Sequence, residues 1–169
     1  DEVGRGALFG PVVAAAVVIP NSKLFLLTEL GVKDSKKLSA KRRLQLVEEI
    51  HKIVTCWQIG CASVKEIDRF NILQASLLAM KRSVVGLKVF PNICLVDGLY
   101  SIPNLEIQQK SLIRGEDVCS AIAAASILAK VWRDELITRM ARKFDQYDLV
   151  SNKGYGTKKH LAALQEYGR

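Results

Sequence analysis

Pro11-Val12-Val13-Ala14-Ala15-Ala16-Val17-Val18-Ile19-Pro20 is the stretch on which the fold turns. Its small and β-branched side chains run without a polar interruption, so it reads as a central strand covered on both sides and bounded by its two prolines. Working back towards the start, Asp1 and Glu2 run straight into the turn Gly4-Arg5-Gly6, and Asp1 to Val3 form one end of a partner strand. Two adjacent carboxylates therefore sit at a strand end beside a tight basic turn. Metal-assisted cleavage of a phosphodiester needs that combination, because divalent ions must be anchored next to a polyanionic backbone.

Working forward, Leu44, Val47, Ile50, Ile53 and Val54 recur at helical spacing between Ser39 and Trp57, with Ser39 as the N-cap. Ile53 to Gly60 alternates and reads as a strand. A second helical period runs from Ile67 to Leu87 through Leu73, Leu77, Met80 and Val84. Pro91 precedes Ile93-Cys94-Leu95-Val96, a short buried strand that ends at Asp97-Gly98. The alanine-rich segment Val118 to Met140 predicts a long helix able to approach a sheet closely, with Lys130, Arg133 and Asp134 not required to be exposed. Gly154-Tyr155-Gly156-Thr157 makes a turn, and Lys158 to Tyr167 a final helix. No repeat, low-complexity tract or linker divides the map. The expectation is one α/β layer domain over residues 1–169 with acids at its strand ends.

Composition narrows the function. Twenty-five Lys and Arg against 17 Asp and Glu give a formal charge of +8, which suits a nucleic-acid or other polyanionic partner. An apolar fraction of 49% excludes a largely disordered chain, and the apolar runs fall short of the roughly 20 residues of a membrane span. Without a secretory signal, a soluble cytoplasmic protein with no membrane partner is expected. Cys56, Cys61, Cys94 and Cys119 are expected to be reduced and mostly buried thiols. Their spacing gives a zinc site little support.

Sheet geometry can bring strand ends together across long sequence distances, so Asp97 can reach Asp1 and Glu2. As a structural feature, Asp97-Gly98 is equally a turn signal. Glu116 and Asp117 precede the alanine-rich helix, where acids also cap exposed N–H groups. Together the five acids are enough to hold two divalent ions. Lys33, Lys36, Lys37, Lys41, Arg42 and Arg43 form a basic run around Asp34, which reads as a solvated face or as a phosphate track that Lys153, Lys158 and Lys159 extend. Asn71 and Gln74 are read as internal hydrogen-bonding amides, and Arg133 and Asp134 as a buried pair or an anchor for the long helix. His51 and His160 are weak candidates for catalysis.

With these motifs in view, the sequence strongly resembles the bacterial type 2 ribonuclease H family, ribonuclease HII. The matching strings are Asp-Glu-Val-Gly-Arg-Gly at 1 to 6, Asp-Ser-Lys-Lys-Leu-Ser at 34 to 39, Ile-Asp-Arg-Phe-Asn-Ile-Leu-Gln-Ala at 67 to 75 and Leu-Val-Asp-Gly at 95 to 98. Ala-Ala-Ala-Ser-Ile-Leu-Ala-Lys-Val-Trp-Arg-Asp at 123 to 134 and Lys-Gly-Tyr-Gly-Thr at 153 to 157 follow in family order. The resemblance implies an RNase H-like mixed β-sheet flanked by helices, with a C-terminal helical part. It implies an endonuclease that cuts the RNA strand of RNA/DNA hybrids and incises duplex DNA 5′ of an embedded ribonucleotide, leaving 5′-phosphate and 3′-hydroxyl ends.

The family site is a four-carboxylate cluster for Mn2+ or Mg2+, with two ions during catalysis, and three of its acids map to Asp1, Glu2 and Asp97. The family usually has Gly-Asp six residues before the isoleucine that opens the helix motif, and counting back from Ile122 reaches Glu116. Asp117, one place later, is the alternative ligand. The same resemblance makes Gly4, Arg5 and Gly6 readers of the 2′-hydroxyl, Tyr155 a stacking platform for the neighbouring deoxyribose, and Ser35, Lys36 and Lys37 contacts to the phosphate backbone. It also implies a monomer. Compared with the family, the stretch starts at its first acid and stops before a basic C-terminal segment, so short flanks are expected to be missing. The rival expectation is a weakly active or inactive duplex-binding module.

Overall fold

The computed structural model describes residues 1–32, 35 and 38–168. Its strands are β1 (Glu2–Val3), β2 (Val12–Val18), β3 (Cys56–Ala62), β4 (Ile93–Asp97) and β5 (Gln108–Leu112). The helices are α1 (Leu24–Glu29), α2 (Ala40–Ile53), α3 (Val64–Phe70), α4 (Ile72–Val85), α5 (Gly115–Val118), α6 (Ser120–Met140), α7 (Leu149–Asn152) and α8 (Lys158–Tyr167).

β2 is the middle strand of an antiparallel sheet ordered β1-β2-β3, with Glu2 opposite Ala14 and Val13 opposite Cys61. β4 and β5 pair in parallel, with Asp97 opposite Leu112. The uninterrupted apolar run is explained by burial on both faces of β2. Ala15 packs with Leu27, Leu46, Ile50 and Ile127 on one side, and Val12 and Ala14 with Ala75, Ala79, Met80 and Val96 on the other. The alanines of α6 let that helix lie against β1, β2 and β4 together, which draws the ends of the two sheets towards one another. No helix among the described residues is long and apolar enough to cross a membrane.

Several elements depart from the sequence reading. The period from Ile67 to Leu87 is broken at Asn71, whose φ of 72° ends α3, while its side chain accepts a hydrogen bond from the Gln74 N–H (3.1 Å) and so starts α4. The period looked continuous because Ile67, Ile72, Leu73 and Leu77 all pack on the same core. In α2, capped by Ser39 as expected, the buried residues are Leu46 and Ile50, and Leu44 is exposed. Leu44 lies roughly 160° round the helix from Leu46 at 100° per residue, so its spacing to Val47 was misleading.

The long helix begins at Ser120, because extended backbone at Cys119 (φ −136°, ψ 111°) separates it from α5. Of the expected buried strand at β4, only Val96 is fully buried. The four cysteines are free thiols but only partly buried, a correction to the expectation of a buried set. Burial still pushes the Cys61 and Cys94 thiols above their usual range.

Candidate active site

Asp1 precedes β1, Glu2 begins it, and Asp97 ends β4 where Gly98 turns the chain away. One carboxylate oxygen from each of the three lies within 4.8 Å of the others, and all three residues are partly buried. Each is held locally. The Glu2 N–H donates to Asp1 Oδ1 (2.6 Å), Arg5 Nη1 to Glu2 Oε1 (3.2 Å), and the Gly115 N–H to Asp97 Oδ1 (2.6 Å). A side chain at Gly115 would meet Ile122 at 2.5 Å and Asp97 Oδ1 at 3.0 Å, so only glycine lets α5 approach Asp97 this closely.

Glu2 Oε2 is buried and has no hydrogen-bond partner among the described residues. Three like charges at this separation repel one another, and a buried carboxylate oxygen without a donor is costly. A divalent cation answers both. Mg2+ and Mn2+ prefer hard oxygen ligands, so the donor set fits such an ion.

Glu116 and Asp117 both lie in α5 and stand outside that group of three. Glu116 is half-buried and accepts a hydrogen bond from Ser126 Oγ (3.0 Å). Asp117 is exposed and bound to Arg114 Nε at 3.1 Å. As caps for the long helix neither serves, because Cys119 intervenes.

The turn at Gly4 to Gly6 is organised from behind by Arg133, which is fully buried on α6. Its Nε donates to Pro11 O (3.0 Å), Nη2 to Phe9 O (2.9 Å) and Nη1 to Lys153 O (2.9 Å). Burial pulls the guanidinium below its usual range. The sequence left open a pair with Asp134 or an anchoring role, and Arg133 is the anchor; Asp134 pairs with Lys130 (2.8 Å).

Arg133 thereby ties the first loop to the turn that carries Tyr155. Ala7 and Tyr155 form an isolated antiparallel bridge, and the Tyr155 ring lies 5.4 Å from Lys130 Nζ and 5.5 Å from the Arg133 guanidinium carbon. His160, also buried, contacts Tyr155 O through Nδ1 at 2.9 Å. A side chain at Gly6 would meet open space, while one at Gly4 would strike Arg133. Of the two glycines, Gly6 leaves its backbone open to a ligand and Gly4 makes room for the anchor.

Lys36 and Lys37, with Lys33 and Asp34, lie outside the described residues. Ser35 is buried and its hydroxyl meets Ser126 Oγ at 2.9 Å. Within the basic run, Arg42 donates to Leu30 O and Arg43 to Ser35 O and Leu38 O, so both guanidinium groups fix the loop. Lys153 bonds Thr138, and Lys159 pairs with Asp148. His51 stacks on Trp57 in the core-distal part of β3. Sequence reasoning missed Gly115 and Ser126. The available signal for Ser126 was a lone hydroxyl among apolar residues at buried helix positions.

The family model described as Ribonuclease HII matches residues 1–169. The chain is 59% identical over 168 residues to ribonuclease HII of Trichodesmium erythraeum, covering 99% of this chain and 80% of that protein. It is 56% identical to that of Trichormus variabilis, covering 99% and 75%. Among solved structures, ribonuclease H2 from Pyrococcus horikoshii superposes with a TM-score of 0.83 at 27% identity, over 99% of this chain and 84% of that one. That likeness extends to the whole architecture: a mixed α/β RNase H-like fold, its sheet flanked by helices and its C-terminal part helical. With the family model matched from end to end and the relatives' similarity this high, the chain belongs to the ribonuclease HII family.

Proposed function

We propose that the chain hydrolyses the RNA strand of RNA/DNA hybrids and incises duplex DNA on the 5′ side of an embedded ribonucleotide, leaving 5′-phosphate and 3′-hydroxyl ends. Family membership supplies the coarse activity: the protein is an endoribonuclease. The observation that carries the finer reading is the convergence of Asp1, Glu2 and Asp97 around a buried Glu2 oxygen that lacks a donor. Bound Mg2+ or Mn2+, two ions during catalysis, would supply an activated water and offset the charge that develops on the phosphate and the leaving 3′-oxygen.

In this reading Asp1, Glu2 and Asp97 hold the ions, and Glu116 is the fourth acid because it is half-buried and held by Ser126, while Asp117 is exposed and engaged by Arg114. The Gly115 N–H keeps Asp97 aimed at the site. Arg5 and the open backbone at Gly6 read the 2′-hydroxyl, which separates ribose from deoxyribose without regard to base. Tyr155, held beside that turn, supports the neighbouring sugar, and Lys36 and Lys37 position the phosphate backbone. A single catalytic domain over residues 1–169, acting as a cytoplasmic monomer, completes the proposal.

A second reading, a weakly active or inactive duplex-binding module, is favoured by one observation. Glu116 stands where the family usually has Asp, and it lies outside the group of three acids. The two readings separate in one assay, comparing a DNA duplex carrying one ribonucleotide with the all-DNA duplex in Mg2+, Mn2+ or chelator. Selective metal-dependent incision supports the enzyme, and it must vanish in Asp97→Asn while duplex binding persists. Binding without incision by the unaltered chain supports the module.

A further inference from the structure

We propose that Ser126 is a positioning residue for Glu116, and that Ser35 completes a one-way hydroxyl relay fixing the fourth carboxylate from the basic segment. The inference rests on the metal-site reading above and deepens it. Ser35, Ser126 and Glu116 come from three separate parts of the chain, and the first two are only 4% and 5% exposed. Ser35 Oγ and Ser126 Oγ are 2.9 Å apart, and Ser126 Oγ lies 3.0 Å from Glu116 Oε2.

The direction of the relay follows from proton counting. A carboxylate only accepts, so the single hydroxyl proton of Ser126 goes to Glu116. The Ser126 oxygen must then accept the Ser35 proton. Ser35 therefore has no hydroxyl proton left for a phosphate, which reassigns it from substrate contact to support. Its backbone is fixed as well, since Arg43 Nη1 donates to Ser35 O at 2.9 Å. A side chain one methylene longer than aspartate has an extra rotatable bond to restrain. The relay restrains it, from an α6 that is rigidly packed against β1, β2 and β4. It also makes the placement of Glu116 depend on the segment that carries Lys36 and Lys37 in sequence.

The experiment is calorimetric titration of Mn2+ into the full chain without nucleic acid, for the unaltered protein, Ser126→Ala, Ser35→Ala, Glu116→Ala and the Ser126→Ala/Glu116→Ala double variant. Ser126→Ala is expected to weaken Mn2+ binding by about tenfold, as loss of a hydrogen bond to a metal ligand does. In the Glu116→Ala background the same change is expected to add less than about twofold, because Ser126 acts through Glu116. Ser35→Ala is expected to show the same dependence with a smaller effect. Unfolding midpoints verify that each variant folds, and alanine in a helix already rich in it keeps that requirement mild. Unchanged Mn2+ affinity in Ser126→Ala, or an equal loss with and without Glu116, overturns the relay alone. An unaltered protein that binds no Mn2+ overturns the metal-site reading, and the relay with it.

Discussion

The Cβ that Gly4 lacks would sit 2.4 Å from Nε of Arg133, so the arginine of α6 fills the space that a side chain in the first loop would take. With φ at +100°, Gly4 also has a backbone that a side chain rarely adopts. The pair joins the two loops flanking the acids, because the same guanidinium bonds Phe9, Pro11 and Lys153.

Arg133→Met is accordingly expected to destabilise the protein by about 3 kcal/mol or more, since three carbonyls lose their donor in the interior. Gly4→Ala should cost about 2 kcal/mol or more from backbone strain and the clash together. Urea unfolding measures both. A loss below about 1 kcal/mol for Arg133→Met would remove the anchoring role.

The choice of fourth acid can be read kinetically. Glu116→Ala is expected to lower the cleavage rate by about a hundredfold or more, while Asp117→Ala stays within about threefold of the unaltered enzyme. The reverse order would show that the α5 helix rearranges to present Asp117.

Tyr155 offers a ring rather than a hydroxyl to its proposed sugar contact. Tyr155→Phe should therefore keep incision at a single ribonucleotide, and Tyr155→Ala should lose about tenfold in kcat/KM, the scale of one stacking contact. Equal losses in the two variants would assign the effect to the hydroxyl instead.

Much of this arrangement was legible before folding was considered. The burial of β2 on both faces follows from Val12 to Val18 alone, and the acids at 1, 2 and 97 announce themselves as charges at strand ends. Asn71 and Cys119 were not legible as breaks, because apolar spacing records which face is buried and is silent on a local change of φ. The burial of Ser35 was not legible for a related reason: its contact with Ser126 comes from 91 positions away, which local spacing does not record. The role of Arg133 was half-visible, since its burial was anticipated but its three carbonyl acceptors come from distant loops.

The pH response of one surface ion pair is also specific. Hydrogen bonds from Arg82, then from the Ser63 backbone and side chain, hold the Glu66 carboxyl at about 2, below its usual value of 4.5. A carboxyl depressed by folding adds stability that is complete above the unfolded value and fades as pH falls from about 4.5 towards about 2. Thermal melts of the unaltered protein and Glu66→Gln should therefore differ at neutral pH and converge across that acid window. A gap that stays constant down to the bottom of the window would rule out the carboxylate as its source.

The most direct measurement for the central claim is anomalous diffraction from crystals of the unaltered chain soaked in Mn2+. The account predicts a peak among Asp1, Glu2 and Asp97, with Glu2 Oε2 as a ligand at roughly 2.0–2.3 Å, near the distances of small hard divalent ions. A well-ordered site showing no such peak, or Mn2+ bound only elsewhere on the surface, would contradict it.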